Sequence, residues 1–274
     1  MAKPLESRRR GRPKAFHDTT DQNIVQSLDR AMILLGSLAQ ASGLTLSDLA
    51  HQTGQAAATV YRALITLQAH GMVEVEEKGQ LWHVGGGAFR VGSAFLRRTK
   101  VVERARGPMD ALMRATGETA NLGVESGDEV LFLSQVETHE AIRAFFPPGT
   151  KGPMHVSGIG KALLAWYPAD RVQGIIARQG LPKFTSLSIT SESSLLRDLA
   201  HTKQRGYSID DQERATGMRC IAAPIFNAYG EAVAGLSVSG PAFRINLSDA
   251  PKIGQAVRDA AHSVTQATGG EIPR

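Results

Sequence analysis

The sequence predicts an α+β protein with a winged helix-turn-helix near its N-terminus, a linker helix, and a second domain on a largely antiparallel sheet. Three observations predict it. Residues 23–70 carry three successive helical periods of apolar residues, separated at Gly43 and Gly54. Residues 72–84 hold two short strand-like runs around a polar turn that contains Gly79. From about residue 105, hairpin-connected strands are set apart from helices, the pattern of an antiparallel α+β domain. The chain has 274 residues, enough for two cores.

Residues 1–22 are polar and aperiodic and are expected to form a disordered basic arm. The first helix starts near Asn23, and Ile24, Leu28, Ala31, Met32, Leu35, Leu38 and Ala39 are expected to face inward. A second helix is expected at 45–52, with Leu46, Leu49 and Ala50 inward and Gly54 ending it. The third, 56–70, places Ala56, Val60, Ala63, Leu64 and Leu67 on one face. Strands at 72–75 and 81–84, joined by the polar tip 76–80, complete a domain of residues 23–85. The cluster Gly85, Gly86 and Gly87 marks its end. A connecting segment, 86–104, is expected to be a linker helix from about Phe89 to Arg104. The second domain, 105–270, is expected to carry helices at 108–116, 158–166, 168–178, 192–205 and 250–268. Its strands are expected at 119–125, 129–136, 141–146, 207–209, 220–225 and 232–239.

Composition narrows the function classes. Apolar residues make up 42% and charged residues 21%, as in soluble globular proteins. A single cysteine, Cys220, excludes an intramolecular disulfide and fits a reducing cytoplasm. The N-terminus has no apolar leader, and no run approaches 18 apolar residues, so no membrane partner is expected. The net charge of +5 is concentrated. Lys3, Arg8, Arg9, Arg10, Arg12 and Lys14 stand against one acid, Glu6, which points to a nucleic acid partner. Within that arm, Gly11-Arg12-Pro13 is like an AT-hook: Arg10 and Arg12 suit the negative potential of a narrow A·T minor groove.

Two helices that cross closely need a small residue at the contact, and the tight turn between them needs one that tolerates positive φ. Ala50 and Gly54 stand four apart in those roles, and Val60 packs the second helix back. The N-terminal half of such a helix enters the major groove of duplex DNA. Gln55, Ala58, Thr59 and Arg62 are expected to face outward, with Tyr61 at the flank and Lys78 on the wing tip. Arg62 suits either bidentate bonding to guanine or a phosphate grip, and the sequence leaves both open.

Several blocks in order carry a resemblance to a known family. Residues 59–71 resemble the recognition helix and wing entry of the IclR-type regulators. Residues 155–164, 206–213, 217–224 and 236–240 resemble the loop, helix and strands of their effector pocket. The likeness spans roughly residues 22–268, and within the family it is most similar to the glyoxylate-responsive repressors. It implies a GAF-like effector-binding domain, a homodimer or homotetramer, a double-stranded operator and a small oxoacid effector, with glyoxylate first and pyruvate the alternative. The wing and the linker helix, the latter at residues 97–100, depart from the pattern, so the operator sequence cannot be carried over.

A two-carbon oxoacid offers a carboxylate, a carbonyl and almost no apolar surface, so its site must supply hydrogen-bond donors. Ser157, Gly158, Ile159 and Gly160 lead into a helix whose free N–H groups suit an anion. Ser237 and Ser239 lie two apart on a strand and so share a face, and Cys220 starts another strand. The resemblance implies that these groups line the site together with Asp210. Catalysis is not expected. Residues 158–161 fail the phosphate-loop pattern, with Ala162 where Ser or Thr belongs. His155 is weighed as a base for a nucleophilic Cys220, but no cysteine-enzyme signature surrounds them. Asp210, Asp211 and Glu213 are read as a solvated loop rather than a metal site, and neither metal nor cofactor is expected. A nucleoid-type structural DNA binder would not need the second domain.

Overall fold

A computed structural model of the chain describes residues 24–76, 80–98 and 101–273, except for the side chains of 95–98. The chain folds as two compact units, Met1–Phe95 and Leu96–Arg274. Lys78, Arg10 and Arg12 lie outside the described residues.

The first unit contains helices α1 (Gln26–Ala39), α2 (Leu46–Thr53) and α3 (Ala57–Ala69), then the antiparallel hairpin β1 (Val73–Glu76) and β2 (Leu81–Val84), then most of helix α4 (Gly86–Arg98), whose last turn belongs to the second unit. Thr45 starts α2 with a capping box: its hydroxyl accepts from Asp48 N–H while the Asp48 carboxylate accepts from Thr45 N–H. Gly54 ends α2 at φ +65°, a conformation glycine takes without steric cost, and this sets the turn into α3. Leu34, Leu38, Leu49, Val60, Leu64, Val73 and Trp82 form one small core. Full burial of an aliphatic side chain of this kind contributes about 1.5–3 kcal/mol.

The expected inward face of α1 is corrected. Leu34 and Leu38 are buried, whereas Ile24, Leu28 and Met32 are more than half exposed. Periodicity found the helix, but α1 has apolar residues on two sides, and the position of α3 decides which side is covered. Ala56 is likewise exposed, as the residue that precedes α3 rather than one on its packed face. The expected linker helix falls on α4 and the start of α5, with residues 99–100 outside the described residues.

The second unit is a six-stranded antiparallel sheet of order β5-β4-β3-β8-β7-β6. Its strands are β3 (Thr119–Glu125), β4 (Glu129–Val136), β5 (Lys151–Pro153), β6 (Ser208–Asp211), β7 (Met218–Phe226) and β8 (Ala232–Pro241). Helices α5 (Val101–Thr116) and α9 (Ala250–Ala267) pack on one face through Met109, Leu112, Val257 and Val264, against Leu122, Ile221, Leu236 and Val238 of the sheet. Helices α6 (Gly158–Leu164), α7 (Ala169–Gln179) and α8 (Glu192–Arg205) cover the other face. Period-two alternation explains the split. Ile221 and Val238 point to α5 and α9, so Cys220, Ser237 and Ser239 point to α6.

Two expected elements differ. Residues 141–146 form no strand, because the chain runs into Pro147-Pro148 and the Ala144 carbonyl accepts from a side chain, Gln135 Nε2. The edge position is taken instead by β5, paired with β4. The helix expected to start at 108 begins at Val101 and contains Pro108.

Candidate functional site

Antiparallel pairing assembles a row of chemistry across the sheet. Asp210 of β6 stands opposite Cys220 of β7, and Cys220 opposite Ser239 of β8. One row along, Ser237 stands opposite Asn121 of β3, which stands opposite Gln135 of β4. Asn121 Nδ2 donates to Ser239 Oγ at 3.2 Å and to Ser237 Oγ at 3.4 Å, and Gln135 Nε2 donates to Asn121 Oδ1 at 3.1 Å. This buried amide chain fixes both hydroxyls.

Above the row sits the start of α6. Ser157 caps it, its hydroxyl accepting from Gly160 N–H. Gly158 is needed for close approach, since a Cβ there would lie 2.6 Å from Cys220 Sγ. The two layers enclose a cavity of about 80 Å³ lined by Ser157, Gly158, Ile159, Asp210, Cys220, Ser237 and Ser239, with the stacked rings of Phe132 and Phe146 beside them. Of the expected effector residues, Gly160 alone is missing from the wall. It packs instead on the Met154 backbone, which fixes the turn Met154–Val156 under the loop.

Burial pushes the Cys220 thiol up to about 11, and the Asp210 carboxylate acts in the same direction, outweighing hydrogen bonds from Ser239, Ser237 and the Gly158 N–H. The group is therefore a neutral thiol at pH 7. Burial also raises Asp210 to about 6, against the pull of Lys161 and of the Glu213 and Arg214 N–H groups. His155, weighed as a base for Cys220, points elsewhere: its Nε2 donates to the Pro182 carbonyl oxygen at 3.0 Å, and it lines a separate cavity of about 40 Å³.

The solvated reading of residues 210–213 is corrected. Asp210 and Glu213 are 8% and 6% exposed. The cause is Lys161, which sits in α6 fully buried, with Nζ 2.6 Å from Glu213 Oε1 and 3.0 Å from Asp198 Oδ2. A lysine is buried only with partners, and these two acids supply them. Desolvation raises Glu213 to about 7, opposed by Lys161. Asp211 bonds Arg219 at 2.6 Å. Among the described residues no group of three His, Cys, Asp or Glu side chains is placed to hold a metal. Sequence reasoning missed Asn121, Lys161 and Glu213 as parts of this site. A lysine inside the apolar run 159–164 was the available signal.

On the first unit, Ala58, Tyr61 and Arg62 are exposed along α3, and Thr59 is half buried. Gln55 does not project freely. It is half buried, and its Nε2 donates to Arg30 O of α1 at 3.5 Å.

Known proteins share both units. Residues 27–77 match the IclR helix-turn-helix domain, and residues 93–266 match the C-terminal domain of bacterial IclR transcriptional regulators. The chain is 48% identical to the HTH-type transcriptional regulator BhcR of Paracoccus denitrificans over 95% of each chain. It is 34% identical to the HTH-type transcriptional repressor AllR of Escherichia coli over 96% of this chain and 97% of that one. The fold superposes on the crystal structure of Thermotoga maritima IclR with a TM-score of 0.76 at 25% identity, covering 90% of this chain and all of that one. These relatives are transcriptional regulators and not enzymes, and no described helix is long and apolar enough to cross a membrane. A helix-turn-helix, a six-stranded effector domain and matches over nearly the whole chain lead to one conclusion: this chain is a DNA-binding transcriptional regulator of the IclR family.

Proposed function

We propose that the chain is a metabolite-responsive repressor that binds a promoter operator as a homodimer or homotetramer and senses a small oxoacid, glyoxylate before pyruvate. The observation that carries this reading is the cavity of about 80 Å³ with a helix N-terminus, three small polar side chains and a neutral thiol in its wall. One water-sized occupant needs roughly 10–15 Å³ of such space, so the inner cavity suits a head group of a few non-hydrogen atoms. Glyoxylate has five and pyruvate six. The carboxylate takes the N–H groups at the start of α6, the Gly158 N–H turning to it from Cys220 Sγ, and the serine hydroxyls and the Cys220 thiol donate to the remaining oxygens. A thiol near pKa 11 supports hydrogen bonding over covalent addition, which proceeds through the thiolate.

On DNA, Arg62, Tyr61, Ala58 and Thr59 of α3 address the major groove, with Gln55, in the turn before α3, bonded to Arg30 O and set back from it; Lys78 addresses the wing phosphate, and Arg10 and Arg12 the minor groove. Connection of the two sites is assigned to the segment 86–104. Linkage requires effector and operator to change each other's affinity by the same factor. Calorimetric titration of the full chain with glyoxylate, pyruvate and longer oxoacids, with and without operator DNA, tests this. Glyoxylate should bind more tightly than pyruvate, and operator should weaken it. If no oxoacid binds, or binding is unchanged by operator, the reading is wrong.

A further inference from the structure

The inner cavity does not end at its polar wall. A larger cavity of about 510 Å³ adjoins it and shares Phe146, Asp210, Arg214, Cys220 and Ser239 with it. A ligand longer than three carbons, with its head among the serines, has to extend past these residues into the outer space. Three cations line the two cavities, and two are engaged. Arg219 bonds Asp211 and the Ala242 and Ile245 carbonyls, and Lys151 bonds the Ser126 carbonyl and pairs with Glu129. Arg214 differs. It is exposed, its guanidinium lies 4.1 Å above the Phe184 ring, and it forms no ion pair among the described residues. A guanidinium held over an aromatic face keeps its N–H groups in its own plane, where they can take a carboxylate bidentately.

We propose that Arg214 and Phe184 form a second anion subsite at the mouth of the effector cavity. It takes the distal carboxylate of a four- or five-carbon oxo-dicarboxylate whose oxoacid head occupies the inner cavity. This rests on the oxoacid reading of the inner cavity and extends it. Arg214 thereby sets the chain length that the protein senses. Asp210, at the junction, disfavours any second carboxylate held short of Arg214 by like-charge repulsion.

The test uses the full chain and its Arg214→Gln and Arg214→Lys variants, titrated calorimetrically with glyoxylate, pyruvate, oxaloacetate and 2-oxoglutarate. The expected result is that wild type binds at least one dicarboxylate. Arg214→Gln should lose tenfold or more of that affinity while its glyoxylate affinity stays within about twofold, and Arg214→Lys should recover most of the loss. Dicarboxylate binding to wild type should also weaken with salt more steeply than glyoxylate binding does. If wild type binds glyoxylate but no dicarboxylate, the second subsite does not exist. If Arg214→Gln weakens both ligands equally, Arg214 serves the head group and the proposal is overturned. If wild type binds neither, the oxoacid reading itself has failed, and the subsite falls with it.

Discussion

The two regions proposed to face partners are built on opposite plans. The α3 face is local: Ala58, Tyr61 and Arg62 come from one helical turn and a half and stand in solvent on a core of seven apolar residues. The proposed effector cavity is non-local. Its polar groups come from α6, β6, β7 and β8, up to 82 positions apart from Ser157 to Ser239, with the amide chain of Asn121 and Gln135 on the serines and the buried Lys161 with its two acids beside Asp210. An exposed recognition surface needs only a rigid platform, because water satisfies its side chains until the partner arrives. A buried polar site has to satisfy most of its groups internally. Substitutions in the second region should therefore destabilise that unit, and substitutions in the first should act on binding alone.

Lys161→Met carries the largest expected effect. It leaves Glu213 and Asp198 without their cation, and loss of one partner of a buried pair costs about 3–5 kcal/mol. Trp166 lies in the effector unit and Trp82 in the other, so urea unfolding of single-tryptophan variants separates the two transitions. The Trp166 transition should shift and the Trp82 transition should not. Equal shifts would break the contrast. The same triad sets a pH dependence. Glu213 and Asp210 have folded values of about 7 and 6, above their ordinary 4.5 and 3.8. The folded state thus binds these protons more tightly. Their contribution to stability is full below about pH 4 and is lost as pH rises through 6 and 7. Glu213→Gln should flatten that slope in the Trp166 transition, and an unchanged slope would place the titration elsewhere.

Arg62→Ala comes next. It should weaken specific operator binding by about 1–3 kcal/mol if Arg62 reads a base, with no change in either unfolding transition. A uniform loss on all sequences would identify a phosphate contact. Unchanged affinity on every DNA would remove α3 from the interface.

Gly54→Ala tests the turn between these helices. Nothing lies within 4 Å of the added Cβ, so only the φ of +65° opposes it. A cost of about 1 kcal/mol in the Trp82 transition is expected, and a neutral result would show that the turn relaxes.

Cys220→Ser has the smallest expected effect. It keeps a donor, and glyoxylate affinity should fall by no more than about 1 kcal/mol, with Cys220→Ala losing more. If Ser abolishes binding as fully as Ala, and a carbon-labelled ligand shows a saturated hemithioacetal carbon, the interaction is covalent.

The local plan was legible and the non-local one only in part. Gly54 and the apolar spacing of residues 46–67 mark α2 and α3 because positive φ and helical period are properties of neighbours in sequence. Strands β3 and β4 fall where alternation and the Ser126-Gly127-Asp128 turn predict them. Ser237 and Ser239 were legible as a pair, since a strand puts residues two apart on one face. Asn121 was not, because its partnership with them depends on β3 lying beside β8, more than a hundred residues away. Nor was the burial of Glu213, which follows from Lys161 entering the interior on α6.

By itself, then, the sequence determined the elements with local causes: helix caps, turn glycines, strand alternation and the charge of the N-terminal arm. Tertiary structure alone decided which side of α1 is covered, which strand closes the sheet edge, and which carboxylates meet Lys161. The physical reason is the same in each case. Local conformation is set by interactions within a turn of chain, whereas desolvation and cross-strand pairing depend on segments that the sequence keeps far apart.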